Sequence, residues 1–256
     1  MCFDPDSRPP IPPIAGGALE SRRTVLTAAD GNRLAAFEAR AATPSGRAIL
    51  ILPDVRGLHA YYEELALRFA ENGVDALAID YFGRTAGAEA RPDGFEYRPH
   101  VNQTTWTGLE ADIRAGFEAL RAGREAAARQ YFAIGFCFGG RLSFLASTVG
   151  LDLAGVVGFY GSLLEPHDNG SPAPVDVTGN MRGRLLGVFG GGDEGIPPAS
   201  IAAFEASLTK AGVDHRLITY AGAPHSFFDR KAADYADASS AAWNETLRFV
   251  RGDIDG

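Results

Sequence analysis

Cysteine is scarce in this chain: of 256 residues, only Cys2 and Cys137 carry a thiol. One thiol in a terminal segment and one in the interior of the sequence cannot form a disulfide framework, so the cross-linked secreted class is excluded and a reducing cytoplasm is expected. No apolar run is long enough to span a bilayer, and the start, Met1 to Pro10, has neither the basic residues nor the apolar core of a signal peptide. Secretion and membrane anchoring are therefore not expected. No run of Lys and Arg offsets a formal net charge of -8, which argues against a nucleic-acid surface. Internal repeats and interdomain linkers are also missing. What remains is 46% hydrophobic and 22% charged residues, enough to bury one large core in a single α/β domain.

Pro5, Pro9, Pro10, Pro12 and Pro13, with Gly16 and Gly17, predict an extended surface arm over residues 1–20, with the globular domain over 21–256. Thr24 to Thr27 and Leu34 to Glu38 read as two strands joined at Asp30-Gly31, a dipeptide suited to a hairpin turn. Ala48 to Leu52 is a continuous apolar run, the signature of a strand covered on both faces. A helix follows on Tyr62, Leu65, Phe69 and Ala70, then a buried strand over Ala76 to Ile79. Residues 81 to about 107 form a long polar connection without periodicity, and such a connection is commonly functional. Beyond it come a helix on Leu109, Ile113, Phe117 and Leu120, strands ending at Phe136, Phe159, Phe189 and Tyr220, and a closing helix from about 231 to 250. This alternation predicts a doubly wound, mostly parallel sheet with helices on both faces.

Tyr131 to Gly140 organises the chain. An apolar run ending in Gly135-Phe-Cys137-Phe-Gly-Gly140 reads as a buried strand turning sharply into a helix, with Cys137 at the apex. A nucleophile elbow needs this pattern, because the apex backbone is strained and small neighbours must let strand and helix approach. With Cys in the usual place of Ser, the thiolate is the attacking species. The competing possibility is a buried structural cysteine beside packing glycines.

Ligands of a doubly wound sheet sit beyond the carboxyl ends of its strands, so partners of Cys137 belong in loops that directly follow strands. Gly190-Gly191-Gly192-Asp193 follows the strand ending at Phe189, with Glu194 as a rival acid. Gly222-Ala-Pro-His225 follows the strand ending at Tyr220, whereas His215 stands at a strand start, the wrong end of the sheet. Nucleophile, acid and histidine then occur in the chain order of α/β-hydrolase triads. The motif puts one oxyanion donor at the backbone N–H of Phe138, and the second belongs to the loop after Pro53, at Val55.

These motifs resemble the dienelactone hydrolase family of the α/β-hydrolase fold over about residues 24 to 250, with Asp80-Tyr-Phe-Gly-Arg84 as weaker support. The resemblance implies a cofactor-free hydrolase of small lactones or esters, of the carboxymethylenebutenolidase type, with no metal. It makes Cys137 the nucleophile, His225 the proton carrier and Asp193 its orienter. It also implies a thiol-modulating acid, at Asp54 here, where better-known members have Glu. A hydrogen-bonding role for Asp54 within its own turn is the alternative. Family members bind a substrate carboxylate through arginines of the long loop and shortly after the histidine, which nominates Arg84, Arg91, Arg98 and Arg230. Tyr81, Tyr97, His100, Gln103 and Trp106 are candidate pocket residues, with loop anchoring or solvated surface as the competing roles. A broad small-ester carboxylesterase, a non-catalytic receptor on the same fold and a redox-sensing thiol are the other functions considered. The lack of a second cysteine near Cys137 weighs against the last of these.

Overall fold

The computed structural model describes residues 7–14, 20–92, 94–122, 129–229 and 231–253. Eight strands form one sheet: β1 (Glu20–Thr27), β2 (Arg33–Arg40), β3 (Arg47–Leu52), β4 (Val74–Ile79), β5 (Gln130–Phe136), β6 (Gly155–Phe159), β7 (Arg184–Gly190) and β8 (His215–Tyr220). Their spatial order is β1-β2-β4-β3-β5-β6-β7-β8. β1 and β2 form the expected antiparallel hairpin, and β2 runs antiparallel to β4. From β4 to β8 every pairing is parallel, so the carboxyl ends of six strands share one edge.

The central strands are buried beyond their first residues. Ala48 to Leu52 and Val74 to Ile79 are buried at every position, as a strand covered by helices on both faces requires. The layers are α1 (Ala60–Glu71), α4 (Trp106–Ala122), α5 (Phe138–Ala146), α6 (Pro198–Ala211) and α7 (Ala236–Arg251). α4 buries the predicted stripe of Leu109, Ile113, Phe117 and Leu120. There Gly116 admits the sheet so closely that a Cβ would stand 2.7 Å from Leu50 Cδ1. α6 starts on Pro198, which lacks the N–H that a first turn leaves unused, and ends on Gly212 at φ 71°.

Two elements differ from expectation. The long polar connection contains two single-turn helices, α2 (Gly83–Ala86) and α3 (Arg98–Val101), too short to leave a periodic pattern in sequence. The closing helix starts at Ala236, not near 231, because residues 231–235 form successive tight turns that bond Ala232 N–H to Asp229 O and Asp234 N–H to Lys231 O. Within the N-terminal arm, residues 7–14 lie along α1 through an Arg8–Glu64 ion pair of 2.8 Å and a hydrogen bond from Ile14 N–H to Glu71 at 3.1 Å. Residues 1–6 and 15–19, including Cys2, fall outside the described part. Among the described residues, no helix is long and apolar enough to cross a membrane.

Candidate active site

The turn from β5 into α5 carries Cys137 at φ 54° and ψ -111°, a backbone conformation that an L-residue adopts only under constraint. The constraint is visible in its glycines. A Cβ on Gly135 would lie 1.8 Å from Gly139 O, one on Gly139 2.0 Å from Leu52 O, and one on Gly140 2.3 Å from Phe159 O. Strand β5, helix α5 and the ends of β3 and β6 therefore meet at distances that no other residue permits. Cys137 itself is half-buried, and its N–H donates to Phe159 O at 3.0 Å.

The structure brings Asp193 and His225 together. The loop after β7 and the loop after β8 are sewn together by Gly191 N–H to Tyr220 O at 2.8 Å and Gly192 N–H to Ala223 O at 2.9 Å. Gly190 makes the approach possible, since a Cβ there would stand 2.2 Å from Ala223 O. The Asp193 carboxylate is buried and takes a 2.6 Å hydrogen bond from His225 Nδ1 through Oδ2, while Oδ1 accepts the Gly195 N–H at 2.9 Å. A carboxylate only accepts, so the proton of the pair sits on Nδ1. Glu194, the rival, is exposed, and His215 lies at the start of β8.

Asp54 is fully buried at the end of β3, the strand next to β5. Its Oδ1 accepts Arg56 N–H at 2.8 Å, and its carbonyl accepts Gly57 N–H at 3.1 Å, closing a four-residue turn. Leu58 N–H goes to Asp80 Oδ1 at 2.9 Å. Val55, in the middle of this loop, directs its N–H to no acceptor among the described residues. Tyr81 connects the loop to the elbow: its hydroxyl donates to Pro53 O at 2.9 Å, and its ring meets Phe138 edge-on at 5.5 Å. That hydroxyl is pushed well above the usual phenol range by burial first, then by the charges of Asp54, Asp80 and Cys137. Asp54 and Cys137 thus act on one phenol.

The arginine candidates lie in different settings. The Arg84 guanidinium is clamped between Asp112 and Asp30, the latter at 2.5 Å. Arg91 is bound to the buried Asp80 at 2.5 Å. Arg98 is exposed, and its backbone N–H donates to Glu96 at 3.2 Å. Trp106 is half-buried at the start of α4, and its backbone N–H donates to Asn169 O at 2.8 Å. His100 stacks on Phe95 at 5.0 Å and contacts Thr85 Oγ1, and Gln103 caps Pro99 O, so both anchor the long connection. Arg230 falls outside the described residues.

Three residues with structural parts here were given no role by the sequence. Tyr160, at φ 38° after β6, lays its ring 4.9 Å from that of His225 and donates its hydroxyl to Asp229 at 3.0 Å. An aromatic before Gly161 at a strand end was its only signal. Asp80 accepts from Leu58 N–H, Phe82 N–H and Arg91, tying the loops after β3 and β4 together. Arg141, one turn into α5, is fully buried and donates to Ser162, Ser171 and Pro172, with its pKa lowered to about 10 by burial.

A buried parallel sheet, a strained strand-to-helix turn bearing a half-buried thiol, and an acid–histidine pair at the same edge define the α/β-hydrolase fold. Within that class, the chain belongs to the dienelactone hydrolase family, whose model matches residues 34–252. A relative from Synechocystis sp., described as a "putative carboxymethylenebutenolidase", is 28% identical over 80% of this chain and 86% of its own. A Bradyrhizobium sp. relative, described as a "probable 2-oxo-3-(5-oxofuran-2-ylidene)propanoate lactonase", is 28% identical over 82% and 85%. A Klebsiella pneumoniae structure described as a "putative dienelactone hydrolase" superposes with a TM-score of 0.77 at 24% identity, over 91% of this chain and 98% of that one. The protein is a hydrolase of lactones or esters.

Proposed function

We propose that the protein cleaves a small lactone or ester through an acyl-cysteine intermediate, with Cys137 as nucleophile, His225 as proton carrier and Asp193 as its orienter. The observation that carries this reading is the strained backbone of Cys137 at the apex of a glycine-lined elbow, at the same sheet edge as the 2.6 Å Asp193–His225 pair. The names of the Synechocystis and Bradyrhizobium relatives agree with a lactone-type substrate.

In the first half-reaction, His225 Nε2 takes the Cys137 thiol proton, the Sγ adds to the carbonyl carbon, and the carbonyl electron pair moves onto oxygen. The N–H groups of Phe138, first in α5, and of Val55 receive that oxyanion. In support, the neighbouring N–H groups of Arg56, Gly57 and Leu58 are all engaged, which leaves Val55 to bind a ligand. The intermediate collapses by breaking the carbon–oxygen bond, and His225 Nε2 delivers a proton to the departing alkoxide. Water, deprotonated by the same nitrogen, then attacks the thioester and expels the thiolate. Asp193 keeps the Nδ1 proton in place, so that Nε2 faces the reaction throughout. The reaction asks for no metal or cofactor, and a reducing compartment would keep the nucleophile in its thiol form.

Arg84 favours a second reading of the specificity. Its charge is already shared by Asp30 and Asp112, so a substrate carboxylate would have to compete with two resident ones. That supports a broad small-ester carboxylesterase over an enzyme that requires an anionic substrate. Hydrolysis of a dienelactone and of p-nitrophenyl acetate, compared in the wild type and Cys137→Ala, tests both readings. Loss of turnover for both substrates in folded Cys137→Ala supports the mechanism, and retained turnover refutes it. Preference for the dienelactone selects the lactonase reading.

A further inference from the structure

A cavity of about 760 Å³ opens on the α1 side of the sheet, beside the β1–β2 hairpin, and neither Cys137, Asp193 nor His225 lines it. Val25 and Ala35 form its floor, Leu58 and Ala60 one wall, and residues 88–92 and 94–97 its roof, Phe95 and Tyr97 among them. Val25 lies directly across from Ala35 in the β1–β2 ladder, so both side chains share one face. At 41% exposure, Val25 is one of only two large hydrophobic residues left open to solvent among those described. Together with Ala35 it gives the hairpin side of the cavity an aliphatic surface.

Two arginines of the wall are already paired with carboxylates. Arg23 forms a two-pronged ion pair with Glu63 at 2.6 and 2.8 Å, and Arg91 is bound to Asp80 at 2.5 Å. Arg56 faces the Tyr97 ring at 6.0 Å, and Glu89 and Glu96 are exposed. His59 has its pKa lowered to about 3, by burial first and by Arg56 second, so it is neutral at physiological pH. With Arg23 and Arg91 engaged and His59 neutral, three of the four basic side chains that line the cavity are unavailable to an anionic ligand. The roof is built in, since Arg91 also donates to Ala86 O at 2.9 Å and Gly87 O at 2.7 Å and lies over the Phe95 ring at 5.1 Å. The volume falls within the usual range for small-molecule sites, roughly 300 to 1,000 Å³.

We propose that this cavity is a second binding site, separate from the elbow, for an uncharged aromatic or branched-alkyl small molecule. Within the loop Asp54 to Leu58, Arg56 and Leu58 line the cavity, while Asp54 and Val55 do not. The site stands on the cavity alone and does not depend on which residue performs the hydrolysis.

The test uses N-phenyl-1-naphthylamine, a neutral probe whose fluorescence rises on entering an apolar site. Titration of the full-length protein should give a saturable rise, unchanged after Cys137 is alkylated with iodoacetamide. Filling the floor with Ala35→Trp should weaken probe binding about tenfold or more while leaving p-nitrophenyl acetate hydrolysis and the melting temperature near wild type. Val25→Trp, at the facing position and more exposed, should do the same and keeps the test open if Ala35→Trp folds poorly. The proposal is overturned if folded wild type shows no saturable signal, if the signal survives both Trp variants, or if Cys137 alkylation abolishes it.

Discussion

The Nδ1–H of His225 donates to Asp193 Oδ2 at 2.6 Å, and it does so because two glycine-bearing loops from adjacent strands bond to each other as backbone. Replacing Asp193 with Asn keeps the shape but offers an amide that can present a donor to Nδ1, which favours the wrong tautomer. Asp193→Asn should reduce kcat by roughly three to four orders of magnitude with little change in KM, and steady-state ester hydrolysis measures it. A loss of less than tenfold would remove Asp193 from the mechanism.

The role proposed for Val55 belongs to its backbone N–H, so it escapes side-chain scanning. It occupies the second position of the turn closed by Gly57 N–H to Asp54 O, a position that proline fits. Val55→Pro therefore removes the N–H with little disturbance of the turn. The expected loss is about 2.7 to 4 kcal/mol of transition-state stabilisation, seen in kcat, with the melting temperature preserved. An unchanged kcat would move the oxyanion donor elsewhere.

Asp54 divides its carboxylate between two duties. Its Oδ1 holds Arg56 N–H, the turn-capping role, and its charge is felt at Tyr81 together with that of Cys137. Asp54→Asn keeps the capping acceptor and removes the charge. If Asp54 gates the thiol, iodoacetamide should alkylate Cys137 faster in Asp54→Asn at pH 7. An equal rate in an equally stable variant would leave Asp54 as a capping residue alone.

His59 predicts a pH dependence of stability. Its pKa falls from 6.5 to about 3 in the fold, chiefly through burial, so the folded chain holds it neutral while the unfolded chain protonates it. In that window the unfolded state binds more protons, so stability is complete above pH 6.5 and declines as pH falls towards 3. The decline is at most about 1.4 kcal/mol per pH unit for this one group. Urea unfolding at pH 7 and pH 5 should show a smaller difference for His59→Gln than for wild type. Equal differences would mean that His59 is not held neutral.

The parts that were legible in the sequence are those where one residue type has one physical use. Gly135, Gly139 and Gly140 spelled out the elbow because only glycine permits approaches near 2 Å, and the unbroken run Ala48 to Leu52 spelled out a strand covered on both faces. Asp193 and His225 were readable because each directly follows a strand of a parallel sheet. The helices of the long connection were not, since Gly83–Ala86 and Arg98–Val101 are each one turn long and carry no period. Nor did Arg84 reveal that its charge would be shared between Asp30, in the hairpin turn, and Asp112, on α4, because those partners are distant in sequence. The roles of Tyr160 and Asp80 depend on tertiary contacts that no local pattern encodes.

The most direct measurement of the account is rapid-quench mass spectrometry during turnover of p-nitrophenyl acetate, followed by peptide mapping. Catalysis through an acyl-cysteine predicts one acetyl group per chain, carried by the peptide that contains Cys137 and absent from the peptide that contains Cys2, and its accumulation should rise in a variant that slows deacylation. An enzyme that turns over fully while the Cys137 peptide stays unmodified at every quench time, and while Cys137→Ala retains its activity, would contradict it.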